Sequence, residues 1–234
     1  MRIAYIGPEG RNAVLQEWAG PGVLVETRSA NFNGAIESSY DEYLYIPRLL
    51  ETVEQIERDG FDGALIGCFG DPGLDGVREL VRMPVVGPAE ASLHVAAMLA
   101  DRFGIITATP EIRPMLYRLA ERYQVDRRLA GVTDIGCPVL DIRRDPDAHY
   151  PALVDLARRM VREQGAGALV LGCGSMSFYA DRLSGDTGVP CINPLRVGLK
   201  MCELLAGSGL THSKLTYPYP SSRRIRAEAQ TIAR

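Results

Sequence analysis

Of the five cysteines in this 234-residue chain, two stand where chemistry is favoured. Cys68 ends the apolar run in GALIGCFGDPGLDG (63–76), and Cys173 ends a second one in GALVLGCGSM (167–176). A cysteine between a buried strand and a helix N-terminus faces the positive end of the helix dipole, which can bring a thiol pKa from about 8.5 into the ~3.5–7.5 range. Two such sulfurs on opposite sides of one carbon can take a proton from one face and return one to the other, inverting a stereocentre without a cofactor. Glycines at 67, 70, 73, 172 and 174 let backbone N–H groups reach a substrate carbonyl and stabilise the enolate-like charge. A structural reading competes, because free cysteine is often a small buried hydrophobe. Recurrence of the same glycine setting at both positions favours chemistry, and Cys137, Cys191 and Cys202, which lack it, read as structural.

The elements that must position the two cysteines also recur. Pro84 follows Cys68 at nearly the distance at which Pro190 follows Cys173, and each proline opens a P-x-x-x-P unit, PVVGP (84–88) and PCINP (190–194). Each unit reads as a short strand whose second proline starts a helix. Short branched apolar runs at 2–6, 23–27, 103–107 and 129–135, with ALIG and ALVLG before the cysteines, alternate with helical segments, which predicts parallel sheets. Helices are expected at 47–59, opened by Pro47, and at 151–164, with a polar loop over 28–46 and a long loop between the 129–135 strand and residue 151. The expected fold is α/β with two pseudo-symmetric lobes, each a mainly parallel sheet flanked by helices. Residues 1–98 with a returning tail (207–234) form the N-terminal lobe, and residues 99–206 the C-terminal one. Both cysteine loops then lie at the carboxyl ends of strands, where open α/β sheets bind ligands.

Composition narrows the partners. A formal net charge of −3 gives no electrostatic case for nucleic acid, and no apolar run reaches the ~20 residues that span a bilayer. The N-terminus turns polar after RIAYIG, unlike a secretory signal, and an odd, scattered cysteine set does not suit a disulfide framework. A cytoplasmic protein with reduced thiols and a small-molecule partner is expected. CxxC and HxxxH spacings are absent, as are GxGxxG and GxxxxGK[ST] loops, and neither lysine, Lys200 or Lys214, has a strand-end glycine setting for a pyridoxal cofactor. No metal or cofactor is expected.

Weaker candidates surround the cysteines. Glu90 and His94 lie four apart at the start of a helix, where a carboxylate and a hydrogen-bonded histidine also have a purely structural reading. Thr107 ends a strand towards the cleft, while Thr109 fits a helix cap. Among Tyr40, Tyr43 and Tyr45, Tyr40 is taken as the substrate contact, although aromatics on a loop commonly pack it down. Ser213 and Lys214 fit an ordering role in the tail.

The strings GALIGCFGDPGLDGVRELVRMPVVG, GALVLGCGSM and IESSYDEYLYIPRLL resemble the hydantoin racemase branch of the aspartate/glutamate racemase superfamily, over most of residues 34–215. The resemblance implies that Cys68 and Cys173 are the paired acid/base residues. It implies substrate contacts from the segment around Ile36, from the amides after each cysteine (Phe69, Gly70, Gly174, Ser175) and from Thr107. Relatives include a decarboxylase that keeps the second cysteine alone and a maleate-type isomerase, so the presence of both cysteines favours a racemase or epimerase. Two segments depart from the usual pattern: Gly7–Pro8–Glu9–Gly10 stands for Asn-Pro-Asn-Thr, and Gly174–Ser175–Met176 stands for Ala-Gly-Met, which puts a hydroxyl beside the second cysteine.

The sequence therefore predicts a cofactor-independent racemase, expected as a homo-oligomer, acting on an acidic C–H beside a carbonyl, with a hydantoin or related ureide as first substrate class. Within enzymes the alternative is an aspartate or glutamate racemase or a decarboxylase-like relative. Outside enzymes it is a ligand-binding or redox-sensing protein whose paired thiols form a disulfide.

Overall fold

The computed structural model describes residues 1–221. The first sheet contains β1 (Arg2–Ile6), β2 (Leu24–Arg28), β3 (Gly63–Ile66) and β4 (Val85–Val86) in the order β2-β1-β3-β4, all parallel. The second contains β5 (Phe103–Thr107), β6 (Leu129–Asp134), β7 (Ala168–Leu171) and β8 (Cys191–Ile192) in the order β6-β5-β7-β8, again parallel. Position by position the two orders are the same, and the cysteine-bearing strands β3 and β7 occupy equivalent places. β3, β5 and β7 are buried along their whole length, which is why their sequences are unbroken apolar runs instead of alternating ones.

Alternation along the strands assigns the helices. Ala4, Ile6, Ala64 and Ile66 pack on α2 (Ser39–Arg58) and α3 (Leu74–Leu80), whereas Ile3, Tyr5 and Leu65 face α1 (Asn12–Trp18) and α9 (Pro194–Gly207). In the second sheet Leu169 and Leu171 pack on α7 (Pro146–Gln164) and α8 (Ala180–Thr187), and Ile105 and Val170 on α4 (Pro88–Leu99) and α5 (Arg113–Arg122). The assignment involves an exchange. α4 continues from β4 yet lies against β7, and α9 continues from β8 yet lies against β3 and β4, while α4 and α9 also pack on each other. Each lobe is completed by a helix that the other lobe's last strand leads into.

Two helices start earlier than their prolines suggest. α2 begins at Ser39, capped by Ser38, whose hydroxyl accepts from the Asp41 amide at 3.2 Å while donating to the Asp41 carboxylate at 2.7 Å. This S-x-x-D signature outweighs Pro47, which sits inside the helix with its neighbour one turn back, Tyr43, on the exposed side where water can serve the carbonyl left without a helical donor. The buried stripe Tyr45, Leu49, Val53 and Ile56 runs straight past the proline. In the same way α7 begins at Pro146, behind an Asp145 cap on the Ala148 amide, and contains Pro151; it is preceded by the short α6 (Val139–Arg144) where a loop was expected.

The tail after α9 returns to the first lobe. Lys214 Nζ donates to the carbonyls of Arg78, Glu79 and Val81 at the end of α3, and the His212 ring meets the Val85 backbone at 3.0 Å. The expected structure of the remaining tail residues, 222–234, lies outside the described residues.

Candidate active site

Matching hydrogen bonds carry the pseudo-symmetry into the two loops. The Gly67 amide donates to the Ile6 carbonyl and the Gly172 amide to the Ile106 carbonyl, both at 2.8 Å, so Cys68 and Cys173 leave their sheets at equivalent points. Each sulfur then accepts from the amide two residues on, Cys68 from Gly70 and Cys173 from Ser175, the latter at 3.4 Å. The loops touch across the lobes: a Cβ on Gly174 would stand 3.0 Å from the Gly67 carbonyl oxygen, tighter than most real contacts. Only glycine lets the two cysteine loops come this close.

Between them lies a cavity of about 160 Å³ that both cysteines line. Phe32, Ile36, Tyr45, Ile112, Met115 and Leu140 form an apolar wall, and two cations, Arg11 and Arg143, complete the lining together with the Tyr5 phenol. The wall is held across the lobes by Glu37, whose carboxylate accepts from the Val139 amide at 2.6 Å, joining the 29–38 segment to α6.

Burial governs the ionisation of the two thiols, and here the expectation of lowered thiol pKa values is corrected. Desolvation pushes Cys68 up to about 12; the Gly70 amide opposes this, and the neighbouring Cys173 reinforces it. Cys173 is also raised by burial, but the Ser175 amide and the Arg11 charge pull it back. The helix-dipole argument fails for Cys68 because α3 starts only at Leu74, beyond a turn through Gly73, and because the sulfur is packed against the apolar core of its own lobe. At Cys173 a 3-10 turn (Gly174–Tyr179) begins at the next residue, so its amides are close enough to act.

Of the sequence candidates, Ile36, Phe69, Gly70, Gly174 and Ser175 line the cavity with the two cysteines, while Tyr40, Glu90 and Thr107 do not. Tyr40 is 70% exposed on α2, whereas Tyr45, one turn further, is buried and lines the cavity. Thr107 supports the second loop from behind, its hydroxyl donating to the Gly172 carbonyl at 3.1 Å. Glu90 pairs with the buried Arg78, which also meets Tyr217 of the tail. His94 Nδ1 bonds the Glu90 carbonyl at 2.8 Å. Thr109 precedes a 3-10 turn without a side-chain cap bond, and its hydroxyl is buried without a partner among the described residues, so the cap expected there is not formed. Sequence reasoning passed over Arg11, Arg143 and Tyr5. A single arginine after a glycine turn, or on a short helix, carries no periodicity or motif to mark it.

The Cys68 loop is bolted to the second lobe by Asp71. Its buried carboxylate accepts from the Ala89 and Glu90 amides at 3.0 and 2.8 Å, capping α4, and from the hydroxyl of Tyr123, the residue after α5, at 2.8 Å. A Cβ at Gly87 would overlap this carboxyl, so the residue before Pro88 must be glycine. In the second copy the cap is reversed. Asn193, the counterpart of Gly87, caps its own helix through the Leu195 and Arg196 amides and reaches back to the Ser177 carbonyl at 3.0 Å.

Among the described residues no group of three or more His, Cys, Asp or Glu side chains is set to hold a metal ion, and no helix is long and apolar enough to cross a membrane. The family model Asp/Glu/Hydantoin racemase matches residues 12–202. The chain is 40% identical to a hydantoin racemase of Pseudomonas sp. (strain NS671) over 86% of its own length and 81% of that protein's. It is 39% identical to a hydantoin racemase of Rhizobium meliloti over 98% of both. The solved structure of an allantoin racemase from Klebsiella pneumoniae overlays with a TM-score of 0.88 and 33% identity, covering 94% of each chain. With the duplicated sheet, the paired cysteine loops and a match across most of the sequence, this chain belongs to the Asp/Glu/hydantoin racemase family.

Proposed function

We propose that the protein is a cofactor-independent isomerase that racemises a hydantoin or related ureide, with Cys68 and Cys173 working on opposite faces of the ring carbon next to the carbonyl. The observation that carries this reading is the equivalence of the two cysteines: same strand position, same amide two residues on, one shared cavity. The similarity to hydantoin racemases and to an allantoin racemase, allantoin being a 5-ureidohydantoin, supports the ring as substrate.

In this reading proton accounting divides the roles. Cys173, the more readily ionised of the pair because Arg11 and the 3-10 turn amides counter its burial, takes the C5 proton as its thiolate while the C–H electron pair moves into the adjacent carbonyl. Cys68, held as the thiol by burial, gives its proton to the opposite face. The products are the inverted ring, a Cys173 thiol and a Cys68 thiolate; the return reaction or exchange with water resets the pair. Loop amides not engaged by sulfur stabilise the enolate, a contribution of ~10²–10³ per donor in comparable oxyanion sites. Ile36, Phe69, Gly70, Gly174 and Ser175 contact substrate in this reading, and Thr107 and Glu90 act by holding the loops. Five free thiols suit a reducing compartment such as the cytoplasm.

Single enantiomers of 5-substituted hydantoins and of allantoin, incubated in heavy water, test the reading. Loss of optical rotation with deuterium at C5 is expected, and Cys68→Ser and Cys173→Ser should each slow it by about 10²–10⁴. Undiminished turnover in both variants would overturn the mechanism.

A further inference from the structure

The cavity's charge is unlike that of the rest of the molecule. Its lining includes two arginines and no aspartate or glutamate, in a chain whose formal net charge is −3. Arginines elsewhere are commonly neutralised: Arg2, Arg28, Arg78, Arg113, Arg122 and Arg196 each meet a carboxylate. Arg11 and Arg143 belong to no ion pair among the described residues. Arg11 is the more buried of the two; its Nε has no partner, and its other contact is a long 3.5 Å hydrogen bond to Ser175 Oγ. A guanidinium taken out of water without an acceptor is costly, and a planar carboxylate is the group that best offsets this.

The two charges also converge. Both act on the buried, unpartnered hydroxyl of Tyr5, one from the loop after β1 and the other from α6 of the opposite lobe. Tuning of sulfur engages Arg11 at Cys173 and does not by itself explain a second cation in the same lining. With no acid in the lining, the missing partner has to come with the ligand.

We propose that the cavity selects hydantoins whose 5-substituent ends in a carboxylate, held between Arg11 of the first lobe and Arg143 of the second. This rests on the racemase reading and narrows its substrate class. Arg143, exposed at the rim, meets the carboxylate first, and Arg11 receives it inside. The apolar wall of Phe32, Tyr45 and Met115 then covers the methylene stem and one face of the ring.

The test compares 5-(2-carboxyethyl)hydantoin with its neutral isostere, 5-(2-carbamoylethyl)hydantoin, by polarimetry and deuterium exchange on the wild-type protein. A charge-assisted bidentate contact predicts kcat/KM about 10–100-fold higher for the acid, expressed mainly in KM. Within each variant the acid-to-amide ratio is read, so the amount of folded enzyme cancels. Arg143→Gln should reduce the ratio about tenfold or more, and Arg158→Gln, a charge removed outside the cavity, should keep it. Exchange on the amide with no preference for the acid, or an Arg143→Gln ratio equal to wild type, overturns the selection and leaves the racemase reading standing. Preferred turnover of an open-chain dicarboxylic amino acid such as glutamate overturns the assignment to the ring. Absence of exchange on every substrate overturns both.

Discussion

The two thiols should differ measurably in reactivity before any substrate is bound. Burial raises Cys68 to about 12 from a reference of 9.0, so at neutral pH it carries about a thousandfold less thiolate than an unperturbed cysteine. Cys173 is raised too, but amide donation from Ser175 and the positive charge of Arg11 counter its burial. Both sulfurs are partly accessible from the same cavity, so access does not separate them. Iodoacetamide at pH 8, quenched at intervals and read by peptide mass spectrometry, should label Cys173 about tenfold or more faster than Cys68. Raising the pH from 8 to 10 should raise Cys68 labelling close to tenfold per unit, since its titration is still incomplete there. Arg11→Gln should slow Cys173 selectively. Labelling of Cys68 as fast as Cys173 at pH 8 would refute both the burial argument and the assignment of Cys173 as the more readily ionised base. The same inequality has a kinetic echo: the enantiomer whose proton faces Cys68 should show the steeper rise of kcat/KM above pH 8.

Two further perturbations test the scaffold. Gly174→Ala puts a methyl 3.0 Å from the Gly67 carbonyl oxygen and forces the loops apart, so kcat should fall about 10²-fold from misplacement of the sulfurs while circular dichroism stays native; an unaltered kcat would refute the close-contact argument. Asp71, fully buried, is raised by desolvation to about 7 despite its three donors, so the folded state holds its proton more tightly than the unfolded chain does. Its contribution to stability is therefore present below about pH 4 and lost as the pH rises towards 7, at roughly 1 kcal/mol per pH unit. His212 has the opposite sign: burial lowers it to about 4, so its contribution is present above about 6.5 and lost on acidification, with a smaller slope because solvent screens its partly exposed ring. Urea midpoints should thus decline from pH 4.5 to 6.5 in wild type and rise over that range in Asp71→Asn; parallel curves would refute the assignment.

The paired cysteine loops were readable because their signal is local and doubled. A strand-end cysteine flanked by glycine is ambiguous once, but the same setting before two P-x-x-x-P units is hard to produce by packing alone. The cavity's charge was not readable, since Arg11 and Arg143 lie 132 positions apart in the chain (143 − 11) and meet only because two lobes face each other. Thiol ionisation was misjudged because it depends on tertiary packing. Propensity and dipole arguments see the segment around Cys68, whereas its desolvation comes from residues distant in the chain, such as Phe32 and Ile36, that close over the same core. The first helix start was misplaced at Pro47 because a proline looks like a first-turn residue, and the later one at 151; the actual starts were marked by the Ser38 and Asp145 caps.

The difference between PVVGP and PCINP, small on paper, identifies what holds the lobes in register. If each lobe carried its own helix, both units could use the same residue before the second proline. Instead α4 and α9 are exchanged and packed on each other, so each cysteine loop must be tied to a helix that supports the opposite sheet. In the first copy the tie comes from the loop: Asp71 reaches the α4 amides, and Gly87 leaves room for its carboxyl. In the second it comes from the helix start: Asn193 caps α9 and holds the Ser177 carbonyl. A carboxylate without donors of its own needs the Tyr123 hydroxyl to complete its shell, whereas an amide both donates and accepts and needs no third partner. The pair of loops is therefore symmetric in backbone and asymmetric in chemistry. The Cys68 side is anchored by a buried acid bonded into the other lobe, and the Cys173 side by a neutral amide beside Arg11's cation. That asymmetry gives a physical reason for two equivalent cysteines to differ in how readily they give up a proton.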